Sequence, residues 1–224
     1  MELILAEKIH LQDSVWRFSF TPVRHVSWIA GQFIKLEVPH ASPDVAGESR
    51  WFTISAAPYE ATLTITTRIT TSSFKLALAE LKPGDFATMT AAPAGDFIWR
   101  EASTKHLFVA QGIGITPFYA IIKDQIYQSK PVNATLISAN QPASDAIYGQ
   151  QLEAWSRADS TFCIKYYVGT LTAAKLIELM PDFARSYVYV SGPKSFVSLC
   201  ISPNTLPLNH LKQDNFPGYG AASY

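Results

Sequence analysis

The hydrophobic pattern of the sequence changes period part-way along the chain. In the first half, apolar and polar residues alternate in Ser14–Phe20, Gln32–Val38 and Ala61–Ile69, as they do in half-buried strands. Proline and glycine turn signals separate these runs, and residues 72–81 predict one helix with a serine cap. Many short strands at this spacing predict a closed antiparallel barrel.

The second half alternates short apolar runs with helical stretches. This order predicts βαβ units, and therefore a parallel sheet with helices on both faces. We expect two domains, over residues 1–100 and 104–224. The predicted strands cover 106–110, 132–138, 162–168 and 186–190, and the predicted helices cover 117–128, 145–157, 172–179 and 194–200.

A glycine turn joins the first of these strands to the first helix. Leu107–Ala110 suit a buried parallel strand, and Gly112 and Gly114 permit backbone angles and close approaches that side chains prevent. We expect Thr116 to cap the helix and Pro117 to fit its first turn. Free amides at a helix start favour phosphate, so the turn predicts a dinucleotide site. A turn without a ligand is the alternative, because the Gly-x-Gly-x-x-Gly fingerprint of ordinary dehydrogenases is absent.

The composition excludes several classes of protein. The 224 residues include 18 basic and 18 acidic ones, so the basic excess of a nucleic-acid-binding surface is missing. No apolar run reaches bilayer length and the first residues lack a signal-peptide pattern, so we expect a cytoplasmic protein without a membrane span. The two cysteines, Cys163 and Cys200, cannot build a four-cysteine metal site. We expect both to be buried and no metal to be bound.

A second candidate site lies in the barrel half, at Arg50-Trp51-Phe52-Thr53. Arg50 offers a rigid fork of donors suited to phosphate, Phe52 offers a flat face for a planar ring, and Thr53 offers a hydroxyl. Strand alternation puts Arg50 and Phe52 on one face and Thr53 on the other. A solvated arginine over packed rings is the alternative interpretation.

With these motifs, the chain resembles the ferredoxin–NADP reductase superfamily of flavin-dependent oxidoreductases. The resemblance spans nearly the whole sequence and implies no iron–sulfur domain. It implies an N-terminal antiparallel six-stranded Greek-key flavin-binding barrel, followed by a parallel-sheet NAD(P)-binding domain. The motifs that carry it are, in order, Gly31-Gln32-Phe33, Arg50-Trp51-Phe52-Thr53, Ser72-Ser73-Phe74-Lys75, 81–85, 94–97, 112–117, Ser191-Gly192-Pro193 and 216–219.

The resemblance implies a role for each flavin-side residue. Arg50 would pair with the flavin pyrophosphate, Phe52 would stack on the isoalloxazine ring, and Thr53 would hydrogen-bond near N5. Ser72 and Ser73 would hold the second phosphate, with plain helix capping as the alternative, and this pair favours FAD over FMN. The other expected flavin contacts are Trp51, Thr66, Thr67 and Arg68.

The resemblance also implies a nicotinamide side. Glycine at 192 would leave room for the nicotinamide ring. Ser191 stands where many members have cysteine near the point of hydride transfer, so we expect a slower or altered hydride step. Gln141 favours NADH slightly, although Lys165 or Arg157 could hold a 2′-phosphate. The expected contacts are Gly112, Ile113, Gly114, Thr116, Pro117, Asn140, Gly192 and Pro193, and Phe216 and Tyr219 either cover the flavin or anchor the chain end.

The implied activity is hydride transfer from NADH or NADPH to bound flavin, with electrons passed to a redox protein or small oxidant. Thr53 and Ser191 are the candidate catalytic residues. No general acid or base is required, so none of the five histidines is nominated. The alternatives are a flavin-binding relay or regulatory subunit with little NAD(P)H activity of its own, and a nucleotide-binding protein without a redox role. The oligomeric state stays open.

Overall fold

The computed structural model describes residues 1–45, 47–101, 105–139, 142, 145–181, 185–201 and 210–214. The chain divides into two compact units, Met1–Ile98 and a second unit that begins at Trp99. The expected contacts Asn140 and Phe216, and the residues Gln141 and Tyr219, lie outside the described part of the chain.

The first unit is an antiparallel barrel. Its sheet has the strand order β4-β3-β6-β1-β2-β5, and an antiparallel bridge from Ile54 to Ile65 joins the two edges. The predicted six-stranded antiparallel architecture is therefore confirmed. The elements are β1 (Glu2–Gln12), β2 (Val15–Pro22), β3 (Phe33–Glu37), β4 (Ser49–Thr53), β5 (Leu63–Arg68), α1 (Ser73–Glu80) and β6 (Phe86–Ala94).

The alternation seen in the sequence builds the barrel core. Phe18 and Phe20 of β2, Ile34 of β3, and Leu63 and Ile65 of β5 are all fully buried in one apolar cluster. Helix α1, which also carries part of the candidate site, adds Phe74 and Leu78 to the same cluster. Burying this many large side chains is the main favourable term that holds the barrel together.

The second unit is a parallel sheet with helices between its strands. The strand order is β11-β10-β7-β8-β9, and every described pairing is parallel, which confirms the predicted α/β architecture. Its elements are β7 (His106–Gln111), α2 (Thr116–Tyr127), β8 (Ala134–Ala139), α3 (Gly149–Ala158), β9 (Phe162–Tyr167), α4 (Ala173–Leu179), β10 (Tyr187–Ser191), α5 (Lys194–Cys200) and β11 (Leu211–Asp214). Strand β11 is a finding that the sequence pattern did not predict.

The prediction for one cysteine is wrong. Cys200 is fully buried, as expected, but Cys163 is exposed. Cys163 lies on β9, the edge strand of the parallel sheet, where buried Phe162 alternates with an outward-facing neighbour. No helix in the described ranges is long and apolar enough to cross a membrane.

His106 is a buried histidine at the start of β7. Its ring stacks on Trp99 with centroids 3.7 Å apart, and Nε2 donates to the Arg100 carbonyl at 3.2 Å. Nδ1 is buried and has no hydrogen-bond partner among the described residues. Burial lowers the pKa of His106 below its usual 6.5, because the charged imidazolium is poorly solvated there.

This lowered pKa predicts acid sensitivity of the second unit. The unfolded chain takes up a proton at His106 more readily than the folded chain, so stability falls as pH drops below about 6.5. We expect His106→Phe to flatten the fall in free energy of unfolding between neutral and mildly acidic pH, measured by urea denaturation. The exposed His25→Gln variant is the control. An unchanged pH dependence in His106→Phe would contradict this account.

Candidate functional site

Strand β4 sets the directions of the first candidate site. It pairs with β3 so that Phe52 lies opposite Ile34 and Thr53 lies opposite Phe33. Ile34 belongs to the barrel core, so Phe52 faces the interior and Thr53 faces the other side of the strand. Arg50 shares the face of Phe52, as the alternation predicts.

The Phe52 ring is covered by protein. Only 3% of the residue is exposed, and its ring lies 5.8 Å from the ring of Phe74. The ammonium group of Lys75 lies 4.4 Å from the centroid of the Phe52 ring. The sequence predicted a ring that offers a flat face to a ligand, and this structure shows no such free face. The reason is the register, which turns Phe52 into the core beside Ile34.

Thr53 carries the polar atom that the fold leaves unsatisfied. The residue is 5% exposed, and Oγ1 has no hydrogen-bond partner among the described residues. Leaving a buried hydroxyl without a partner costs about 1–3 kcal/mol. A ligand with a polar atom at this position would recover that free energy, which is the property expected of a residue that bonds a flavin.

Arg50 is already paired within the chain. Nη2 donates to both carboxylate oxygens of Asp44, at 2.7 and 2.8 Å. Nη1 donates to the carbonyl oxygens of Gly47 and Ser49, at 2.6 and 2.9 Å. The side chain is 17% exposed. The guanidinium therefore has the chemistry to hold a phosphate, but in this structure a carboxylate takes that place.

The two serines at the start of α1 have different partners. Ser72 Oγ accepts from the Lys75 amide at 3.3 Å and caps the helix. Ser73 Oγ accepts from the Asp44 amide at 3.0 Å. His40 Nδ1 donates to the Val38 carbonyl, so His40 Nε2 accepts from Ser73 Oγ at 3.0 Å. The capping alternative therefore describes Ser72, whereas Ser73 fastens the loop between β3 and β4.

The remaining flavin-side residues from the sequence all contact other side chains. Thr66 and Thr67 are also buried, whereas Trp51 and Arg68 are partly exposed. The contacts are Trp51 against the Phe33 ring with centroids 5.1 Å apart, Thr66 with Ser55 at 3.1 Å, Thr67 with the Lys75 ammonium, and Arg68 with Ser14 at 3.1 Å. Sequence reasoning did not single out Asp44, His40 or the roles of Lys75, because their partners are distant in the sequence.

The glycine turn of the second unit is a short helical turn. Gly112–Ile115 form a 3₁₀ turn between β7 and α2, and Gly112 has a φ of +54°. The cap prediction for Thr116 is wrong, because Thr116 is itself the first residue of α2 and its hydroxyl donates to the Ile113 carbonyl at 3.0 Å. Pro117 occupies the first helical turn as expected.

Both glycines of the nucleotide side are needed for protein packing. A Cβ on Gly114 would lie 2.4 Å from the Ser191 carbonyl oxygen and 2.8 Å from the Gly192 nitrogen. A Cβ on Gly192 would lie 2.9 Å from Phe196 Cδ1 and 3.2 Å from Gln111 Cβ. The turn after β7 and the end of β10 therefore touch through their backbones. This contact gathers both predicted motifs at the carboxyl edge of the parallel sheet, where ligands of such sheets bind.

Strand β11 brings an acid to the same edge. Asp214 pairs with Ser191 in register, and its carbonyl accepts from the Gly192 amide at 3.4 Å. Burial raises the pKa of the Asp214 carboxyl to about 7. Sequence reasoning missed Asp214, because Leu-Lys-Gln-Asp has no strand pattern. The described residues contain no cluster of three or more His, Cys, Asp or Glu that could hold a metal ion.

Comparison with known proteins links the second unit to redox enzymes. Residues 108–200 match the family model described as an oxidoreductase NAD-binding domain. Over 175 residues the chain is 28% identical to the ferredoxin reductase component of 3-ketosteroid-9-alpha-monooxygenase from Mycolicibacterium smegmatis, covering 75% of this chain and 49% of that protein. The chain spans about half the length of the curated relatives it matches.

Solved structures share the fold of both units. Flavohemoglobin from Malassezia yamatoensis, with bound FAD and heme, has a TM-score of 0.78 at 16% identity, over 96% of this chain and 60% of that one. A mutant of ferredoxin–NADP+ reductase from Plasmodium falciparum, in complex with 2′P-AMP, has a TM-score of 0.77 at 16% identity, over 96% of this chain and 95% of that one. At these identities, the likeness establishes the fold.

The Gly114 contact predicts a steric effect of substitution. A methyl group at Gly114 meets backbone atoms of β10, so the strand end or the turn must shift. We expect Gly114→Ala to destabilise the protein by about 1–3 kcal/mol in urea denaturation, because overpacking forces backbone movement. The control is Gly84→Ala, which meets no atom within 4 Å and has only the strain of a φ of +98°. A Gly114→Ala protein as stable as wild type would show that the contact with Ser191 costs nothing.

Proposed function

Because the chain belongs to the ferredoxin–NADP reductase superfamily, we propose that it is a flavin-dependent NAD(P)H oxidoreductase that passes electrons to a separate acceptor. The family match to an oxidoreductase NAD-binding domain supports the nucleotide half of this proposal. The barrel fold, shared with a flavohemoglobin that has FAD bound, supports the flavin half. The observation that carries the proposal is the buried, unsatisfied hydroxyl of Thr53.

The barrel residues fit a flavin in their chemistry. Thr53 Oγ1 is a buried polar atom without a partner among the described residues, so a polar ligand atom there has a clear energetic reason to bind. Arg50 binds a carboxylate through its guanidinium donors, which suit the oxygens of a phosphate equally well, and the one hydroxyl proton of Ser73 is donated to His40 in this structure. We assign FAD to these residues, with FMN less favoured.

The chemistry that a bound flavin supplies is acceptance of a hydride from the nicotinamide and release of electrons onward. The chain's own residues bind and orient. Arg50 would bind a phosphate through its guanidinium donors. Thr53 holds its hydroxyl at a set position on β4, and the buried residues around Thr53 exclude water. No side chain is required to move a proton for the hydride step.

On the nucleotide side, we assign the turn over Gly112–Pro117 and the end of β10 to the nicotinamide cofactor. The backbone contact between Gly114 and Ser191 holds these two segments together. Asp214, with its raised pKa, adds a carboxyl that is partly protonated near neutral pH beside Ser191. The slower hydride step expected from serine at 191, and the preference between NADH and NADPH, stay predictions.

The acceptor proposed here is a separate redox protein, with a small oxidant as the second choice. The matched relatives are named as the ferredoxin reductase component of a monooxygenase, which supports transfer to a partner. The two cysteines of this sequence lie on β9 and α5, and one is buried, so they do not form a cluster that could take the electrons. A cytoplasmic location stays a prediction of the sequence.

Thr53 gives the sharpest test of the proposal. Replacing Thr53 with valine removes the unsatisfied hydroxyl, so we expect the flavin-free protein to become more stable by about 1–3 kcal/mol. The same change removes a polar contact to flavin, so we expect anaerobic flavin reduction by NADH or NADPH to slow by roughly tenfold or more. Urea denaturation and stopped-flow absorbance measure the two effects.

Thr53→Ser is the matched control, because it keeps the hydroxyl and loses only a methyl group. We expect it to reduce flavin at close to the wild-type rate and to gain no stability. A purely structural threonine gives the opposite pattern, with Thr53→Val less stable and its reduction rate unchanged. That pattern would overturn the role assigned to Thr53.

A further inference from the structure

We propose that Asp44 is an internal ligand of the phosphate site. Its carboxylate accepts hydrogen bonds from Arg50 Nη2 and would have to leave this atom when a flavin phosphate binds there. Asp44 would then set the affinity for phosphate-bearing flavins without touching the isoalloxazine ring. This inference rests on the proposed function, since it assumes that Arg50 and Ser73 receive phosphate.

The hydrogen bonds of Arg50 make the two occupants mutually exclusive. Nη2 donates to Asp44, and Nη1 donates to the carbonyl oxygens of Gly47 and Ser49. Both contacts to Asp44 come from the one atom Nη2, at 2.7 and 2.8 Å, so the carboxylate lies directly against this nitrogen in a charge-assisted hydrogen bond. A phosphate can bind Nη2 from the same side only if the carboxylate leaves.

Ser73 ties the same loop to the second predicted phosphate contact. The Ser73 hydroxyl accepts a hydrogen bond from the Asp44 amide and donates one to His40 Nε2, both at 3.0 Å. Asp44 therefore bridges Arg50 on β4 and Ser73 on α1, through its carboxylate and its backbone. Arg50 and Ser73, which the sequence assigned to the two phosphates, therefore both contact the one loop residue Asp44.

Little apolar burial opposes release of the Asp44 carboxylate, although the Ser73 hydroxyl holds the Asp44 backbone amide. The Asp44 side chain is 32% exposed and the next residue, Val45, is fully exposed, so little apolar burial holds this segment. Two positive φ angles flank it, +57° at Ser42 and +75° at Gly47. A non-glycine residue such as Ser42 is strained in this conformation, and a movement of the loop that relaxed its φ would release that strain.

The exchange predicts a selective penalty. Displacing Asp44 opposes the binding of FAD and FMN, because both carry phosphate. Riboflavin has no phosphate, so its binding leaves Asp44 in place. Removing the charge of Asp44 should therefore increase the affinity for FAD and FMN and leave the affinity for riboflavin unchanged.

The test is a titration of the purified full chain with each flavin, followed by flavin fluorescence. We expect Asp44→Asn to bind FAD and FMN roughly threefold to tenfold more tightly than wild type, the range for a partly exposed, charge-assisted ion pair. We expect no change for riboflavin. Glu48→Gln is the matched control, because it removes the same charge from the same loop while its carboxylate contacts the His40 amide instead of Arg50. Circular dichroism checks folding, and Asp44→Ala serves as a second variant.

A double-mutant cycle with Arg50→Gln identifies the route of the effect. If Asp44 acts by occupying Arg50, the gain from Asp44→Asn disappears in the Arg50→Gln background. The proposal is overturned if Asp44→Asn weakens the binding of FAD, because Asp44 would then be a residue that positions Arg50. It is also overturned if the affinity for all three flavins increases equally.

A separate probe keeps the two proposals distinguishable. Inorganic pyrophosphate, titrated by calorimetry, reports on the anion site without any flavin. Tighter pyrophosphate binding by Asp44→Asn supports the internal ligand even if wild type binds no flavin, and in that case only the proposed function fails. Unchanged pyrophosphate binding together with unchanged FAD binding rejects the role of Asp44 alone.

Discussion

The closure of the barrel between β4 and β5 fixes the candidate flavin site. The bridge from Ile54 to Ile65, and the 2.8 Å bond from the Ser55 amide to the Thr64 carbonyl, hold the end of β4 against β5. With both neighbours of β4 set, its side chains have only one possible arrangement. The Phe52 side chain must enter the core, and the Thr53 side chain must be buried where the end of β4 meets β5. The unsatisfied hydroxyl of Thr53 is thus a consequence of closing the sheet.

The rest of the site follows from how the chain satisfies its own polar groups. A half-buried arginine needs anionic partners, and Asp44 supplies them from a loop that Ser73 and His40 hold in place. The ammonium group of Lys75 lies over the Phe52 ring. In the part of the chain that the structure describes, most of the groups that a ligand would use are paired within the protein, and the Thr53 hydroxyl is an exception. Ligand binding in this account exchanges internal contacts for equivalent ones.

Local patterns predicted much of the fold. The regular alternation in β2, β3 and β5 identified them as strands, and the α/β order of the second half predicted its parallel sheet. Strand β1 was not singled out, because irregular pairing near Leu5 and His10 breaks its alternation. Strand β6 contains Pro93 and a run of alanines, and β11 is mostly polar. These strands exist because neighbours pair with them, which is a tertiary effect that local propensity does not contain.

The site was predicted in its motifs and missed in its partners. The sequence pointed to Arg50, Thr53 and Ser73, but it could not reveal Asp44, because that contact depends on the path of a loop. Alternation separated Phe52 from Thr53 without telling which face is the interior. Gly114 was recognised as a close approach, yet the structure shows that the approaching group is the backbone of Ser191. In each case the missing information was a contact between residues far apart in sequence.

The central claim is that this chain holds a flavin and reduces it with a nicotinamide cofactor. The most direct measurement is the visible spectrum of the purified, FAD-loaded chain, titrated without oxygen with NADH and, separately, with NADPH. The account predicts a yellow protein whose flavin absorption is lost on addition of at least one of the two. A chain that takes up no flavin, or a yellow one that neither cofactor bleaches, would contradict it.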